Sequence, residues 1–211
     1  MRVMLAGNPM IPVITLDRVE DAIPLARALV AGGLRVLEVT LRTEAAREGI
    51  RRIVAEVEGA IVGTGTVCTA QQVQLSSDLG CQFMISPGST RQLLDAAAQS
   101  TLNFMPGVST VSEMMLCMEY GYQDFKFFPA EASGGAAKIK AIAGPFADAR
   151  FCPTGGIGLN NIRDYLSLPN VLCVGGSWVA PGALIAAKRW DDIERLARET
   201  VDFCAGLRTA I

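Results

Sequence analysis

Residues 124–130, Asp-Phe-Lys-Phe-Phe-Pro-Ala, form a short aromatic stretch that carries a single cation, Lys126. A run this short and this apolar is typical of a parallel β-strand that is buried on both faces. Burying an ammonium group is costly unless the group is paired or neutral. A neutral lysine amine is a nucleophile that can form a Schiff base with a ketone. The alternative is a strand-end lysine that extends its amine to water, and the neighbouring segments decide between the two interpretations.

Similar short apolar runs recur along the chain, and each is followed by a segment with helical periodicity. Ala22, Leu25, Ala26 and Leu29, for example, follow the spacing of one helix face. Three pairs of residues that directly follow a run resemble helix-start capping boxes: Thr69 with Gln72, Ser89 with Gln92, and Thr110 with Glu113. We predict eight strands, at residues 10–16, 36–41, 60–67, 83–87, 103–108, 124–129, 150–154 and 171–176.

Eight strands that alternate with helices within 211 residues predict an α/β protein with one domain, residues 1–211, folded as a compact (β/α)8 TIM barrel. A doubly wound open sheet is the alternative architecture. It would require a glycine-rich turn after the first strand, where this chain has Thr15-Leu16-Asp17. Because that turn is missing, the barrel is favoured. No low-complexity segment or linker marks a domain boundary, so we predict a single domain.

The composition excludes several classes of function. Half of the residues are apolar, 19% are charged and the formal net charge is −2, so we expect no nucleic-acid partner. The longest charge-free stretch, residues 165–187, is interrupted by glycines and prolines, and we expect no membrane span. The N-terminal apolar segment is too short for a secretory signal. The six dispersed cysteines contain no CxxC pair, and we expect a cytoplasmic protein.

The chain contains no histidine. This excludes Ser-His-Asp and Cys-His catalysis and removes the commonest metal ligand. We therefore expect neither a metal nor a cofactor. Any acid–base chemistry would have to come from carboxylates, lysine or tyrosine.

In a (β/α)8 barrel the reacting groups lie at the carboxyl ends of the strands. In the strand at 36–41 the period of two places Glu38 on one face, with Arg42 just beyond it, and in the strand at 124–129 it pairs Lys126 with Phe128. A lysine, a glutamate and an arginine at one mouth could supply the nucleophile, the acid–base and the carboxylate-binding group of an imine enzyme. The structural alternative is a buried ion pair between Glu38 and Arg42.

Two glycine pairs follow the last two predicted strands. Gly155 and Gly156 follow the seventh strand, and Gly175-Gly176-Ser177 ends the eighth. Glycines at these positions let backbone N–H groups approach an anion, and barrels often hold a phosphate at this pair of loops. A simple turn is the alternative, but two such pairs at the expected loops favour a phosphate site.

Two further residues lie at strand ends. Thr66, within GTGTV at residues 63–67, offers a hydroxyl to a small carboxylate or carbonyl group. Pro87, at the end of the fourth predicted strand, would form a rigid wall. A purely structural role in a turn is the alternative for both residues.

Five segments of the chain, taken together, have a specific order and spacing: LEVTLRT at 37–43, GTGTV at 63–67, ISPG at 85–88, FKFFPAE at 125–131 and PTGGI at 153–157. This series resembles the 2-keto-3-deoxy-6-phosphogluconate aldolases, which also act as 4-hydroxy-2-oxoglutarate aldolases. The resemblance runs from about Ile11 to Cys204.

The resemblance implies a metal-free class I aldolase that forms a Schiff base and assembles as a homotrimer. Its substrate would be a phosphorylated 2-keto acid, cleaved to pyruvate and D-glyceraldehyde 3-phosphate. Lys126 would form the imine and Glu38 would be the acid–base. The remaining residues that the resemblance implies are Arg42, Thr66 and Pro87 around the pyruvate with Phe128 beside it, and Gly155, Gly156 and Ser177 around the phosphate.

Two other functions remain open from the sequence. A phosphosugar epimerase or isomerase on the same barrel could use Glu38 as its base and Lys126 as an electrostatic partner, because fold alone does not fix function. A non-catalytic phosphosugar-binding sensor is the second alternative. The lack of an appended DNA-binding or signalling segment disfavours the sensor.

Overall fold

The computed structural model describes residues 1–208, so the last three residues of the predicted domain 1–211 lie outside the described residues. Within this range the strands are β1 (Met10–Ile14), β2 (Val36–Thr40), β3 (Ile61–Gly65), β4 (Phe83–Ile85), β5 (Asn103–Met105), β6 (Gly107–Val108), β7 (Asp124–Phe127), β8 (Arg150–Pro153) and β9 (Val174–Gly176). The α-helices are α1 (Arg2–Leu5), α2 (Ala22–Ala31), α3 (Ala45–Glu56), α4 (Ala70–Asp78), α5 (Arg91–Ala98), α6 (Val111–Glu119), α7 (Gly135–Ile142), α8 (Ile162–Leu166), α9 (Gly182–Ala186) and α10 (Trp190–Arg208). Over residues 1–208, no helix combines the length and the apolar character that a membrane crossing requires.

All neighbouring strands pair in parallel. One sheet has six strands in the order β5-β4-β3-β2-β1-β9, and the other has three in the order β6-β7-β8. Isolated parallel bridges join Phe151 to Val171 and Thr154 to Gly175, next to β8 and β9. The predicted α/β class with parallel strands is confirmed, whereas the joining of both sheets into one closed barrel stays a prediction.

Each of the eight predicted strands has a counterpart in the structure. The fifth, predicted at 103–108, is divided into β5 and β6 at Pro106, which has no N–H to give to a strand ladder. The eighth, predicted at 171–176, is shorter and begins at Val174. Helix α1 was not predicted, because four residues are too few to show helical periodicity.

One of the three predicted capping boxes is complete: Thr110 and Glu113 form a reciprocal box at the start of α6. At α4 only half of the predicted box forms, because the Thr69 hydroxyl accepts from the amide of Gln72 but the Gln72 side chain accepts from the amide of Cys68, at 2.7 Å. The prediction for Ser89 was wrong: Thr90 caps α5, and the Ser89 hydroxyl instead donates to the carbonyl of Gly107 at 2.8 Å. Adjacent residues compete for the cap, and the backbone geometry selects Thr90.

The alternation along the strands separates two hydrophobic clusters. Leu37 and Val39 of β2, like Phe125 and Phe127 of β7, belong to the large cluster that includes the helices. The second cluster combines Leu5 of helix α1 with residues on the opposite face of the strands or next to a strand: Ile11, Val36, Phe83, Ile85, Met105, Cys152 and Cys173. Since Glu38 follows Val36 by two residues and Lys126 is in register with Cys152, both charged groups lie on the face of this second cluster.

Candidate active site

Lys126 and Glu38 form a buried ion pair that joins β7 to β2. The Lys126 Nζ donates to Oε1 of Glu38 at 2.9 Å, across 88 residues of sequence. Lys126 is 3% exposed and Glu38 is 1% exposed. A desolvated pair of this kind is costly unless its geometry is good, and removing either partner leaves a buried charge uncompensated. The interpretation of Lys126 as a lysine that extends to water is therefore wrong.

Arg42 has a different partner from the one that the structural alternative proposed. Its Nε donates to Oγ1 of Thr66 at 3.0 Å, and the carboxylate of Glu38 is taken by Lys126. The Glu38–Arg42 ion pair is therefore wrong. Thr66 is held at a φ of +60°, a left-handed conformation that threonine rarely adopts. Backbone strain of this kind is found where a side chain is held in one particular orientation, and in this conformation the Thr66 hydroxyl accepts the hydrogen bond from Arg42.

The close approach of Glu38 to β3 explains the glycine at position 65. A Cβ atom built on Gly65 would lie 2.2 Å from Oε1 of Glu38 and 2.6 Å from its Cγ. No side chain can therefore stand at this position unless the carboxylate moves. We did not predict Gly65 as a site residue. The available signal was a small residue on the strand that neighbours Glu38.

A cavity of about 240 Å³ opens at the carboxyl ends of the strands. The predicted site residues that line it are Arg42, Phe128, Gly155, Gly156 and Ser177. Lys126 lies next to this cavity, with its Nζ 5.7 Å from the centroid of the Phe128 ring. A larger cavity of about 410 Å³ lies between α4 and α5, but its lining has no charged side chain and is remote from the ion pair.

The glycine loop after β8 has a left-handed backbone at two successive residues. Gly155 and Gly156 have φ angles of +102° and +78°, a region in which glycine is the favoured residue. The bridge between Thr154 and Gly175 places this loop beside the end of β9, where Ser177 is exposed to the cavity. Successive backbone N–H groups in such a loop can form a concave site for an anion.

Pro87 lies half-buried just after β4, at the same end of the strands. The amide of Val67 donates to the carbonyl of Ile85 at 3.1 Å, which brings the segments of Thr66 and Pro87 side by side. Pro87 also packs tightly against the next strand, since a Cβ on Gly107 would lie 2.3 Å from the Pro87 carbonyl carbon. Its position therefore serves the packing of β4 against β6, and Pro87 is not among the residues that line the 240 Å³ cavity.

The site residues predicted from the sequence leave out four side chains that line the cavity: Val13, Thr15, Thr154 and Ile157. All four are uncharged and lie at or just beyond the carboxyl ends of β1 and β8. The signal that could have found them is position alone, because strand ends face the mouth. Thr15 also lies 3.3 Å, Oγ1 to Oγ1, from Thr40 on the next strand.

Comparison with known proteins places the chain among aldolases. The family model for KDPG and KHG aldolase matches residues 2–196. A KHG/KDPG aldolase from Escherichia coli K12 is 56% identical over 199 residues, which cover 94% of this chain and 93% of the relative.

Two solved structures have closely similar folds. A KDPG aldolase from Legionella pneumophila, with pyruvate captured at low pH as a covalent carbinolamine intermediate, has a TM-score of 0.92 and 46% identity, covering 94% of this chain and 96% of its own. The aldolase of Zymomonas mobilis ZM4 with 3-phosphoglycerate has a TM-score of 0.89 and 44% identity, covering 95% and 94%.

Proposed function

Because the chain belongs to the KDPG and KHG aldolase family, we propose that it is a class I aldolase that acts through a Schiff base on Lys126. Its phosphorylated substrate is 2-dehydro-3-deoxy-6-phospho-D-gluconate, cleaved to pyruvate and D-glyceraldehyde 3-phosphate. It also cleaves 4-hydroxy-2-oxoglutarate to pyruvate and glyoxylate. The observation that carries this proposal is the buried 2.9 Å hydrogen bond between Lys126 Nζ and Glu38 Oε1. The carbinolamine captured in the Legionella relative supports the same chemistry.

The first half of the reaction makes the imine. Glu38 accepts a proton from Lys126 along their hydrogen bond, and the neutral amine attacks C2 of the ketone. The new C–N bond forms as the carbonyl electrons move to oxygen, and that oxygen takes the proton back from Glu38. Glu38 then takes a proton from the nitrogen and passes it to the same oxygen, the C–O bond breaks to release water, and the nitrogen lone pair forms the protonated imine.

The second half breaks the carbon–carbon bond. Glu38 takes the proton of the C4 hydroxyl, the C3–C4 bond breaks, and its electrons pass into the protonated imine to give an enamine. The aldehyde fragment leaves. Protonation of the enamine at C3 and addition of water at C2 then release pyruvate and restore Lys126.

The remaining predicted residues position the substrate. Arg42, held by Thr66 at 3.0 Å, binds the carboxylate at the pyruvate end, with Pro87 and Phe128 as walls. The remote phosphate is bound by backbone N–H groups and one hydroxyl, from Gly155, Gly156 and Ser177, which all line the cavity. The 3-phosphoglycerate bound to the Zymomonas relative supports a site for phosphorylated three-carbon acids. Binding energy from this remote group can orient the reacting bond.

Trapping the imine tests the proposal. Incubation with pyruvate and borohydride is expected to add one reduced pyruvyl group, and peptide mapping is expected to place it on Lys126. Label on Lys138 or Lys140 would contradict the assignment. An unlabelled protein would favour an epimerase or a binding protein instead.

We also propose that the two sheets form one closed (β/α)8 barrel in a single domain. The bridge from Thr154 to Gly175 joins β8 to β9, and β5 and β6 are separated by Pro106 alone. Both features support a continuous ring of eight strand positions. An experimental structure in which either junction is open would contradict this.

The same family membership leads us to propose a homotrimer in the cytoplasm. Val111 and Met115 are 36% and 56% exposed, and their i, i+4 spacing gives one apolar face on α6 that a subunit contact could cover. Cys81, Cys117 and Cys152 are buried thiols, as in reducing compartments. Sedimentation as a monomer at micromolar concentration would contradict the trimer.

A further inference from the structure

We infer that a hydrogen bond between Tyr165 and Glu131 positions the Gly155–Gly156 loop, and that this bond favours phosphorylated substrates over unphosphorylated ones. The inference rests on the proposed function, in which this loop binds the substrate phosphate. Neither Tyr165 nor Glu131 lines the cavity, so both would act through the loop.

Glu131 contacts both glycines of the loop. Its backbone N–H donates to the carbonyl of Gly155 at 3.1 Å. Its side chain packs directly against Gly156, since a Cβ atom built there would lie 2.7 Å from Cγ of Glu131 and 2.8 Å from its Cβ. The path of the loop backbone is therefore fixed by where the Glu131 side chain lies.

Tyr165 holds the Glu131 side chain in place through a hydrogen bond. It lies on α8, is 1% exposed, and donates its hydroxyl to Oε1 of Glu131. Burial, and next the hydrogen bond to Glu131, raise the pKa of Tyr165 well above its usual value. The hydroxyl therefore keeps its proton at neutral pH and remains a donor. Asn161, just before the same helix, donates from Nδ2 to the carbonyl of Gly156 at 3.0 Å, so α8 holds the loop at two points.

The bond has a specific consequence for substrate choice. Backbone N–H groups bind an anion only when they converge on it, so a small displacement of the Gly155–Gly156 loop weakens phosphate binding. Loss of the Tyr165 hydroxyl also frees an exposed carboxylate, Glu131, beside the anion site, where it would repel a phosphate. The pyruvate end of the site, at Lys126 and Glu38, would be unaffected.

The central experiment compares Tyr165→Phe with the unaltered protein on two substrates. Phenylalanine keeps the buried ring and removes only the donor. We expect the KM for 2-dehydro-3-deoxy-6-phospho-D-gluconate to rise about fivefold or more, which corresponds to about 1 kcal/mol of binding. The kcat on this substrate and both constants for 4-hydroxy-2-oxoglutarate should stay within about twofold, because uniform binding of the phosphate is what is lost.

The matched control is Tyr120→Phe. Tyr120 also donates to a carboxylate, Asp95, at 2.8 Å, but on the outer helices. The Tyr120→Phe variant should keep the KM of the unaltered protein for both the phosphorylated and the unphosphorylated substrate.

A second variant supports the test even if Tyr165→Phe does not fold. Glu131 is exposed, so Glu131→Ala should fold, and it should also raise the KM of the phosphorylated substrate selectively, through displacement of the loop without a freed carboxylate. Glu131→Gln keeps an oxygen that can accept from Tyr165 and should lie closer to the unaltered protein. The double variant Tyr165→Phe/Glu131→Ala should match Glu131→Ala alone, since the Tyr165 hydroxyl has no carboxylate to bind once the Glu131 side chain is removed.

Equal losses on both substrates, or no loss on either, would overturn the inference. The proposed function is judged separately by borohydride trapping of pyruvate on Lys126, which does not involve Tyr165. Normal trapping in a Tyr165→Phe variant without the selective KM effect would remove the inference and leave the aldolase. No trapping in the unaltered protein would overturn both.

Discussion

At the scale of single residues, the chemistry that we propose depends on the ion pair between Lys126 and Glu38. Both groups are almost completely removed from water, so each is compensated mainly by the other across 2.9 Å. In the proposed reaction, this arrangement gives Glu38 direct access to the proton that Lys126 must lose before it can attack a ketone. It also means that a change at either residue alters stability and catalysis together, and a test must separate the two.

Glu38→Gln should slow aldol cleavage by about 10²–10⁴-fold, because the amide still accepts a hydrogen bond from Lys126 but cannot shuttle protons. The kcat should be measured alongside unfolding in urea. Near-normal turnover with a loss of about 3–5 kcal/mol of stability would instead show that Glu38 serves only as a structural partner of the buried lysine.

Gly65→Ala should reduce kcat by about 10²-fold, because misplacing a reacting group by about 1 Å can have that effect. The added Cβ would lie 2.2 Å from Oε1 of Glu38, so the carboxylate must shift. Gly182→Ala is the matched control, since no atom lies within 4 Å of a Cβ built there. Full activity in Gly65→Ala would mean that the position of the carboxylate is not critical.

The sequence predicted which faces carry Glu38 and Lys126, but not that the two residues bond to each other. Period-two alternation is a local property and is readable from one strand. The partner of a buried charge depends on strands that are 88 residues apart, so Arg42 was an equal candidate. The left-handed φ of Thr66 could not be predicted either, since threonine rarely adopts this conformation.

At the scale of elements, the local chemistry of helix starts and strand breaks follows the sequence most closely. The capping box of Thr110 and Glu113 was predicted from spacing because both of its contacts span three residues. The division of β5 from β6 follows from a single residue, Pro106. Helix α1 and the choice of Thr90 over Ser89 depend instead on tertiary contacts, which cannot be predicted from the local sequence.

The capping box has a predicted pH dependence. Burial acts to raise the pKa of Glu113, but hydrogen bonds from Ser109 and Thr110 outweigh it and hold that pKa below its usual value. A lowered pKa means that the carboxylate stabilises the fold fully above the pKa of the unfolded chain, and that this contribution is lost as the pH falls through the folded value.

Glu113→Gln should therefore lower the free energy of unfolding by about 1 kcal/mol at neutral pH, and the difference should shrink below about pH 4. Urea unfolding across this range measures it. Glu119→Gln, on the same helix, is the control: that carboxylate is 63% exposed, and its contact with Arg91 is long, at 3.6 Å. A difference for Glu113→Gln that grows toward acid would contradict the assigned sign.

At the scale of the whole molecule, the two ends of the strands have different tasks. The carboxyl ends hold the cavity, the ion pair and the glycine loop. At the amino ends, Nε of Arg2 on α1 contacts the Asp124 carboxylate at 2.6 Å, and the Met1 amino group donates to Asn103 at 3.1 Å. Helix α1 thus lies across the starts of β5 and β7, at the end of the strands opposite the proposed active site.

Leu5→Ala tests whether packing at the amino ends of the strands contributes to stability without contributing to catalysis. Leu5 is 2% exposed and is the residue of α1 that joins the cluster on the face shared with Glu38 and Lys126. Its truncation should lower the free energy of unfolding by about 2–5 kcal/mol, through lost burial and the cavity left behind. Val3→Ala, on the same helix, should change the free energy of unfolding by no more than about 0.5 kcal/mol, because Val3 is 93% exposed.

Below the melting transition, kcat and KM should match the unaltered protein in both variants, because the proposed reacting groups are held by strands and not by α1. A fall in kcat for Leu5→Ala in the folded state would mean that packing at the amino ends is transmitted to Lys126 and Glu38, and that stability and catalysis are not divided between the two ends.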